Sequence, residues 1–557
     1  MSSGMSSGMS SGMSSGMSSG MSSGMSSGMS SGMSSDKSSD MSSGMSSGMS
    51  SGMSRGMSSG MSSGLSSGMS SCMSSGMSSG MSSGMSSGMS SGMSSGMSSG
   101  FQTNWRLPDS CAQARMSGDP PKSGLLSAIN KTVGPILLMV YSPNMVMFMW
   151  YAAAHCDGSF SELARRILEK GVVAGVADIW SNVSLGTPVV LYAIFGYMLF
   201  ALILQVTMPG PRAEGPVTPK GNVPVYKDNG FVCFLVTVAS FIGLTFYLKQ
   251  NGLTPTVVYD RFDEVLVTLT LFSLVFCLVL QFKGYFFPST SDHGSSGNLL
   301  FDFYWGTELY PRVFGVDIKV FTNCRFGMTV WPLLCLIFAL KSYELHGFVD
   351  SMWVSCFLQM VYFTKFFWWE AGYMRTIDIM VDRAGYYICW GCLVYVTGFY
   401  TSVSLYLVNK PVHLGTPLSV VILVLGVFSI AINFLADKQK QDIRASDGKC
   451  LIWGKPAKVI RAQYVLESGD KRESILLASG WWGVARHFHY VPELLLAFFW
   501  TVPAGFENLM PYSYVIFLFI LLTHRTFRDD EKCGAKYTTF WETYCKHVPY
   551  KMIPGVF

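Results

Sequence analysis

The chain has 557 residues, and its 39 Lys and Arg against 34 Asp and Glu leave a formal charge of +5 spread along its length. No basic tract suited to a nucleic-acid backbone results, so nucleic acid is excluded as a partner. The 13 Cys fall at irregular spacings, many inside apolar segments (Cys233, Cys277, Cys335, Cys356), which excludes a disulfide framework and gives no zinc or other metal site.

Residues 1–100 repeat Met-Ser-Ser-Gly, with departures only at Asp36, Lys37, Asp40, Arg55, Leu65 and Cys72. Ser and Gly bring almost no apolar surface, and Gly loses the most backbone entropy on ordering, so this segment is expected to be disordered. It holds 23 of the 37 Met, and without it the remaining chain is far more apolar than a soluble enzyme. Residues 101–131 read as a cytoplasmic linker.

From residue 132 onward, apolar runs of spanning length recur. A bilayer core of ~30 Å takes ~20 apolar residues in a helix. The expected spans are 132–154, 187–207, 230–248, 264–282, 327–342, 348–369, 384–408 and 416–436. Two shorter runs, 490–503 and 512–523, would form a hairpin that spans poorly or re-enters. The expected fold is therefore all-α, a polytopic transmembrane helical bundle of eight to ten spans over 132–557. Loop 437–489 carries ten Lys or Arg and the tail 524–557 six, against none in 504–511. The positive-inside rule then places both basic segments on the cytoplasmic side, within reach of a soluble anionic cofactor. No cleavable signal peptide precedes the first span, which would itself direct the chain to the endoplasmic reticulum.

The common catalytic signatures (GxGxxG behind a strand, GxxxxGK[ST], HExxH, GxSxG) do not occur, so the spans are the expected walls of an active site. Between two of them lie Glu370, Asp378 and Asp382, the last two one helical turn apart. Intramembrane carboxylates are costly unless paired or functional, which makes these acids candidate proton donors. The alternative is a polar surface loop in which Arg375 and Arg383 neutralise them. Lys440 and Arg444 would project from one helical face as a phosphate clamp, or else snorkel to the interface. Residues 479–490 pack Trp481, Trp482, Arg486, His487, His489 and Tyr490 into one loop. Its rings suit a flat cofactor and its Arg an anion, although an interfacial aromatic belt accounts for the two Trp. From Arg525 through Asp529, Tyr537, Trp541 and Tyr544 the spacing predicts an amphipathic cytoplasmic helix.

Several long motifs in order carry a family resemblance: GTELYPRVFGVDIKVFTNCRFG at 306–327, TIDI at 376–379, SDGKCLIWGKPAKVI at 446–460, LLASGWWGVARHFHYVPE at 476–493, LLTHRTFRDDEKCGAKY at 521–537 and VPYKMIPGVF at 548–557. From about residue 125 to its end the chain resembles the sterol reductases, which include Δ7, Δ14 and Δ24(28) enzymes and the membrane domain of the lamin B receptor. The SDGKCLIWG and RHFHYVPE segments favour the Δ7 branch over the Δ14 branch. The resemblance implies a ten-span bundle with an NADPH pocket in its C-terminal part, about 437–557. The implied cofactor contacts are Lys440, Arg444, Leu477, Trp482, His489, Tyr490, Asp529, Cys533, Gly534, Ala535, Lys536, Tyr537 and Tyr544, with Arg525 beside them. In animal-type members Asn usually stands at the position of His489. The implied reaction is protonation of a ring alkene followed by hydride transfer, with Glu370, Asp378 or Tyr373 as the acid. The sterol would come from the surrounding membrane lipid and the cofactor from the cytosol; association with other sterol-biosynthesis enzymes stays open. Two rival classes fit less well. Prenylcysteine methyltransferases share the C-terminal pattern but lack the DGKCLIWG segment, and a chromatin-tethered receptor would carry an Arg-Ser tract where this chain has Ser, Gly and Met.

Overall fold

The computed structural model describes residues 129–466 and 469–557. The expected disordered repeat and the linker up to residue 128 lie outside the described residues. Each apolar run forms a helix: Lys131–His155, Pro188–Thr207, Gly230–Gln250, Phe262–Phe286, Ile318–His346, Asp350–Trp368, Tyr386–Asn409, Thr416–Ala445, Tyr490–Ala504 and Ser513–Tyr537. Among the described residues, seven of these are long and apolar enough to cross a membrane; Asp350–Trp368, Tyr490–Ala504 and Ser513–Tyr537 fall outside that set. The first carries Ser351, Ser355 and Gln359, the second is short, and the third ends in a charged half.

Burial divides the helices. Ile318–His346 and Tyr386–Asn409 are mostly buried and form the centre, while their neighbours keep large apolar side chains on the outside. Thr416–Ala445 exposes Val420, Val421, Val424 and Phe428 in this way. A surface of that kind is stable only against lipid, so the chain is a polytopic helical membrane protein.

Contacts between connections show that successive helices alternate in direction. At one end, Lys220 Nζ donates to the Ser291 carbonyl at 2.6 Å, Arg383 to the Gly294 carbonyl at 2.6 Å, and Asn298 to Thr132 at 2.8 Å. At the other end, Thr254 meets Glu344 at 2.9 Å, and Asn508 meets the Tyr406 hydroxyl at 3.0 Å. The long polar loops therefore gather on one side of the bundle.

Two features lie outside the expected spans. Helices Phe160–Lys170 and Val172–Ser181 fill the connection after the first span, the former capped by Ser159, whose hydroxyl accepts from the Glu162 amide at 3.2 Å. Short antiparallel strand pairs also occur, the longest joining Val459–Val465 to Lys471–Leu477 in the register Val459↔Leu477 through Val465↔Lys471. Strand alternation makes this hairpin two-faced. Ala462 and Leu476 pack on Tyr537, Trp541 and Tyr544, whereas Ile475 and Leu477 pack on Ile443, Ile452 and Trp482. The hairpin thus wedges the tail helices against the end of Thr416–Ala445.

A buried ion pair joins three further segments. Glu370 receives both terminal nitrogens of Arg325, one at 2.9 Å, and Arg325 also donates to Asn229 at 2.8 Å. Gly230 leaves the room required, since a Cβ there would lie 2.3 Å from Glu370 Oε2. Removing one partner strands a charge in a dry interior, at a cost of ~3–5 kcal/mol. Arg325→Met should accordingly lower the thermal unfolding midpoint in detergent sharply, and the double variant with Glu370→Met should recover part of the loss; equal midpoints for Arg325→Met and the parent would refute the assignment.

Candidate active site

One cavity of about 910 Å³ runs through the bundle, a volume in the ~300–1,000 Å³ range of small-molecule sites. Its aromatic end is walled by Trp331, Tyr386, Trp390, Tyr400 and Tyr514, and it reaches the lipid-facing surface at Leu138 and Tyr141, which are 48% and 55% exposed. Its polar end is walled by Lys440, Arg444, Trp482, His489, Arg525 and Asp529.

The polar end is assembled from two long helices and one loop. Helix Thr416–Ala445 continues beyond the expected end of its span at 436, and this carries Lys440 and Arg444, one turn apart, to the cavity. Trp482 is fixed by its ring N–H, which donates to the Ala436 carbonyl at 2.8 Å, and by the Tyr544 hydroxyl, which donates to its carbonyl at 3.2 Å. Lys440 Nζ stands 3.7 Å over the Trp482 ring, so the indole face holds the ammonium in place. The His489 ring lies 4.8 Å from Trp482 and 4.2 Å from Tyr490, completing an aromatic wall.

Charge at this end is strongly organised. Burial pushes His489 well below its usual value, with Lys440 and His487 adding to the effect, so its imidazole is neutral at pH 7. Burial pushes the Asp529 carboxyl up, but the hydrogen bond and charge of His487, 2.9 Å away, outweigh it and hold Asp529 at about 2. Arg375, Lys440 and Arg444 all line the cavity, and among the described residues none has a carboxylate within ion-pair distance. Arg375 and Arg444 are close enough for their charges to repel. Cations brought together with no ion-pair partner form a seat for a multiply charged anion such as a nucleotide phosphate.

The remaining residues of the implied cofactor set stand behind this wall. Leu477 is buried against Trp482 and Ile443. Tyr537 and Tyr544 sit in the cluster beneath the β-hairpin, with Cys533 packed at its edge. Lys536 places its Nζ 3.9 Å over the Tyr464 ring, and Gly534 and Ala535 lie on the same helix.

The candidate acids are placed differently from one another. Glu370 lies outside the cavity, locked to Arg325. Asp378 lines the cavity but is paired with Arg525 at 2.5 Å. Tyr373 lines it as well, its hydroxyl accepting from Asn323 at 3.1 Å. Asp382 pairs with Arg528 at 2.9 Å. The neutralising cations are thus Arg525 and Arg528, one turn apart on the last long helix, and not the neighbouring Arg375 and Arg383. Lys319 completes the segment: its buried ammonium donates to the carbonyls of Leu309, Ile379 and Asp382 at 3.0, 2.8 and 2.5 Å. Sequence reasoning gives no role to Glu493, Tyr362, Asn433 or Lys365, which also line the cavity. The one signal available was a carboxylate set one residue after a proline at the head of an apolar run.

Residues 124–557 match the model of the ergosterol biosynthesis ERG4/ERG24 family. The 7-dehydrocholesterol reductase of Arabidopsis thaliana is 50% identical over 422 residues, 75% of this chain and 96% of that protein. The 7-dehydrocholesterol reductase of Xenopus laevis is 34% identical over 437 residues, covering 76% and 91%. The Delta(14)-sterol reductase of Methylotuvimicrobium alcaliphilum is 34% identical over 425 residues, covering 76% and 94%.

A charge-assisted hydrogen bond contributes ~1.5–3 kcal/mol. With NADPH added as the phosphorylated probe, Arg444→Ala should therefore weaken binding by about tenfold to about a hundredfold in titration calorimetry, and Arg375→Ala should weaken it in the same direction. Unchanged affinity in both variants would show that the cations do not hold phosphate.

Proposed function

The chain belongs to the ergosterol biosynthesis ERG4/ERG24 family, and on that premise we propose that it reduces the Δ7 double bond of Δ5,7-sterols with NADPH. The observation that carries this reading is a single cavity with an aromatic end open to lipid and a cationic end open to the polar loops. A sterol fits the first by its flat apolar skeleton, and a phosphorylated dinucleotide fits the second by charge. The 50% identity to a 7-dehydrocholesterol reductase supports the Δ7 position over Δ14.

Lys440, Arg444 and Arg375 would hold the phosphates. Trp482, His489 and Tyr490 would flank the rings of the cofactor, and Asp529, kept ionised by His487, would accept hydrogen bonds from its hydroxyl groups. Bound NADPH supplies the hydride. The aromatic walls keep water from a carbocation formed on the sterol, and a residue of the cavity donates the proton that generates it. Arg525, fixed by Asp378, stands in the wall of the polar end.

The side that carries loop 437–489 and the tail would face the cytosol under the positive-inside rule, in the membrane of the endoplasmic reticulum. The sterol would then enter sideways past Leu138 and Tyr141, and the cofactor from the aqueous side. No part of this mechanism uses residues 1–100.

Membranes containing the chain should consume a 5,7-diene sterol when given NADPH, read as loss of diene absorbance. Consumption of a Δ14 sterol in its place would overturn the Δ7 reading. Asp529→Ala should lower kcat/KM at least tenfold, and a chain lacking residues 1–100 should match the full chain in the same assay.

A further inference from the structure

The reaction needs an acid, and the carboxyls beside Arg325, Arg525 and Arg528 are poorly suited to the task. Glu370, Asp378 and Asp382 are each engaged by a guanidinium, and Glu370 lies outside the cavity altogether. Glu493 is different. It lies in the first turn of the Tyr490–Ala504 helix, directly beneath the His489–Tyr490 wall, and it lines the cavity. Its Oε1 accepts from the Tyr362 hydroxyl at 2.8 Å. Among the described residues no Lys, Arg or His stands within ion-pair distance of it, and no protein hydrogen bond occupies its Oε2.

Its surroundings suit a reaction that creates positive charge. The Tyr362 ring is 5.4 Å from Trp500. Trp331 is 5.1 Å from Tyr400 and 5.2 Å from Tyr514, and both tyrosines line the cavity. Glu493 is near enough to Tyr514 to act on it electrostatically. Aromatic faces attract a cation without offering a base that would remove its proton. Glu493 is half-buried in the first turn of a short apolar helix, where its carboxyl lines the cavity together with Tyr362, Tyr400 and Tyr514.

Resting on the Δ7-reductase reading, we infer that Glu493 is the catalytic acid. The O–H bond at its Oε2 breaks and the alkene π pair takes the proton, forming a C–H bond and leaving a carbocation on the neighbouring ring carbon. Hydride from NADPH then forms the second C–H bond, and the cofactor departs oxidised. The Glu493 carboxylate recovers its proton from water admitted at the polar end. Tyr362 positions Oε1 through its hydrogen bond and so directs Oε2 at the substrate.

Glu493→Gln keeps the size and the acceptor for Tyr362 but removes the acidic proton. General acid catalysis is worth ~10²–10⁴-fold, so kcat for a 5,7-diene should fall by about a hundredfold or more while NADPH affinity stays within about threefold of the parent. Glu493→Asp retains the acid and should keep at least about a tenth of the parent kcat on the same scale. A Gln variant within about threefold of the parent in kcat, or Gln and Asp variants equally impaired, overturns the assignment. If the Gln variant does not accumulate as folded protein, the Asp variant decides alone: activity below that tenth, with NADPH affinity intact, counts against Glu493. A parent enzyme inert toward 5,7-dienes defeats the Δ7 reading instead, and the same pair of variants is then compared on a Δ14 substrate.

Discussion

The structure depends on keeping charge inside a bundle that offers almost no water. A lone ion in such a medium costs several kcal/mol even after relaxation, so every buried charge must be matched or removed. The segment between Asp350–Trp368 and Tyr386–Asn409 shows the solution. Glu370 is matched by Arg325, Asp378 by Arg525 and Asp382 by Arg528, while Lys319 binds the same segment by three backbone carbonyls. These contacts draw three distant parts of the chain to one point.

The matching has a functional consequence. Carboxylates and guanidiniums that satisfy each other are taken out of the chemistry, and what they leave unmatched stands out. At the polar end the cations Arg375, Lys440 and Arg444 have no ion-pair partner among the described residues, and Glu493 and Asp437 line the same cavity without a cation at ion-pair distance. An anion-binding end and a carboxyl among aromatic rings suit reduction by protonation and hydride transfer, and here they open into one chamber.

Rigidity of the polar end comes from outside the membrane helices. The Val459–Val465 and Lys471–Leu477 hairpin presses one face on Tyr537, Trp541 and Tyr544 and the other on Ile443 and Trp482. Trp482 is thereby held from both sides, and Lys440 is held on Trp482. Tyr537 and Tyr544 thus act as the backing of the wall, with Lys440, Arg444 and Trp482 as its surface.

Hydrophobic length and basic-residue bias are local properties, and the sequence by itself determined the helices, the grouping of loops 437–489 and 524–557, and the placing of Lys440 and Arg444 on one face. Motif spelling identified the family for the same reason, since its segments are contiguous. The partners of buried charges are a different matter. Arg375 and Arg383 are the nearest cations to Asp378 and Asp382 along the chain, yet Arg525 and Arg528 take those places because the last long helix packs across the segment. The hairpin was equally hidden, its strands being short and half polar. Only the tertiary structure removed Glu370 from the cavity and placed Glu493 in it, because the exposure of a side chain to a cavity is decided by how helices pack and not by its neighbours in sequence.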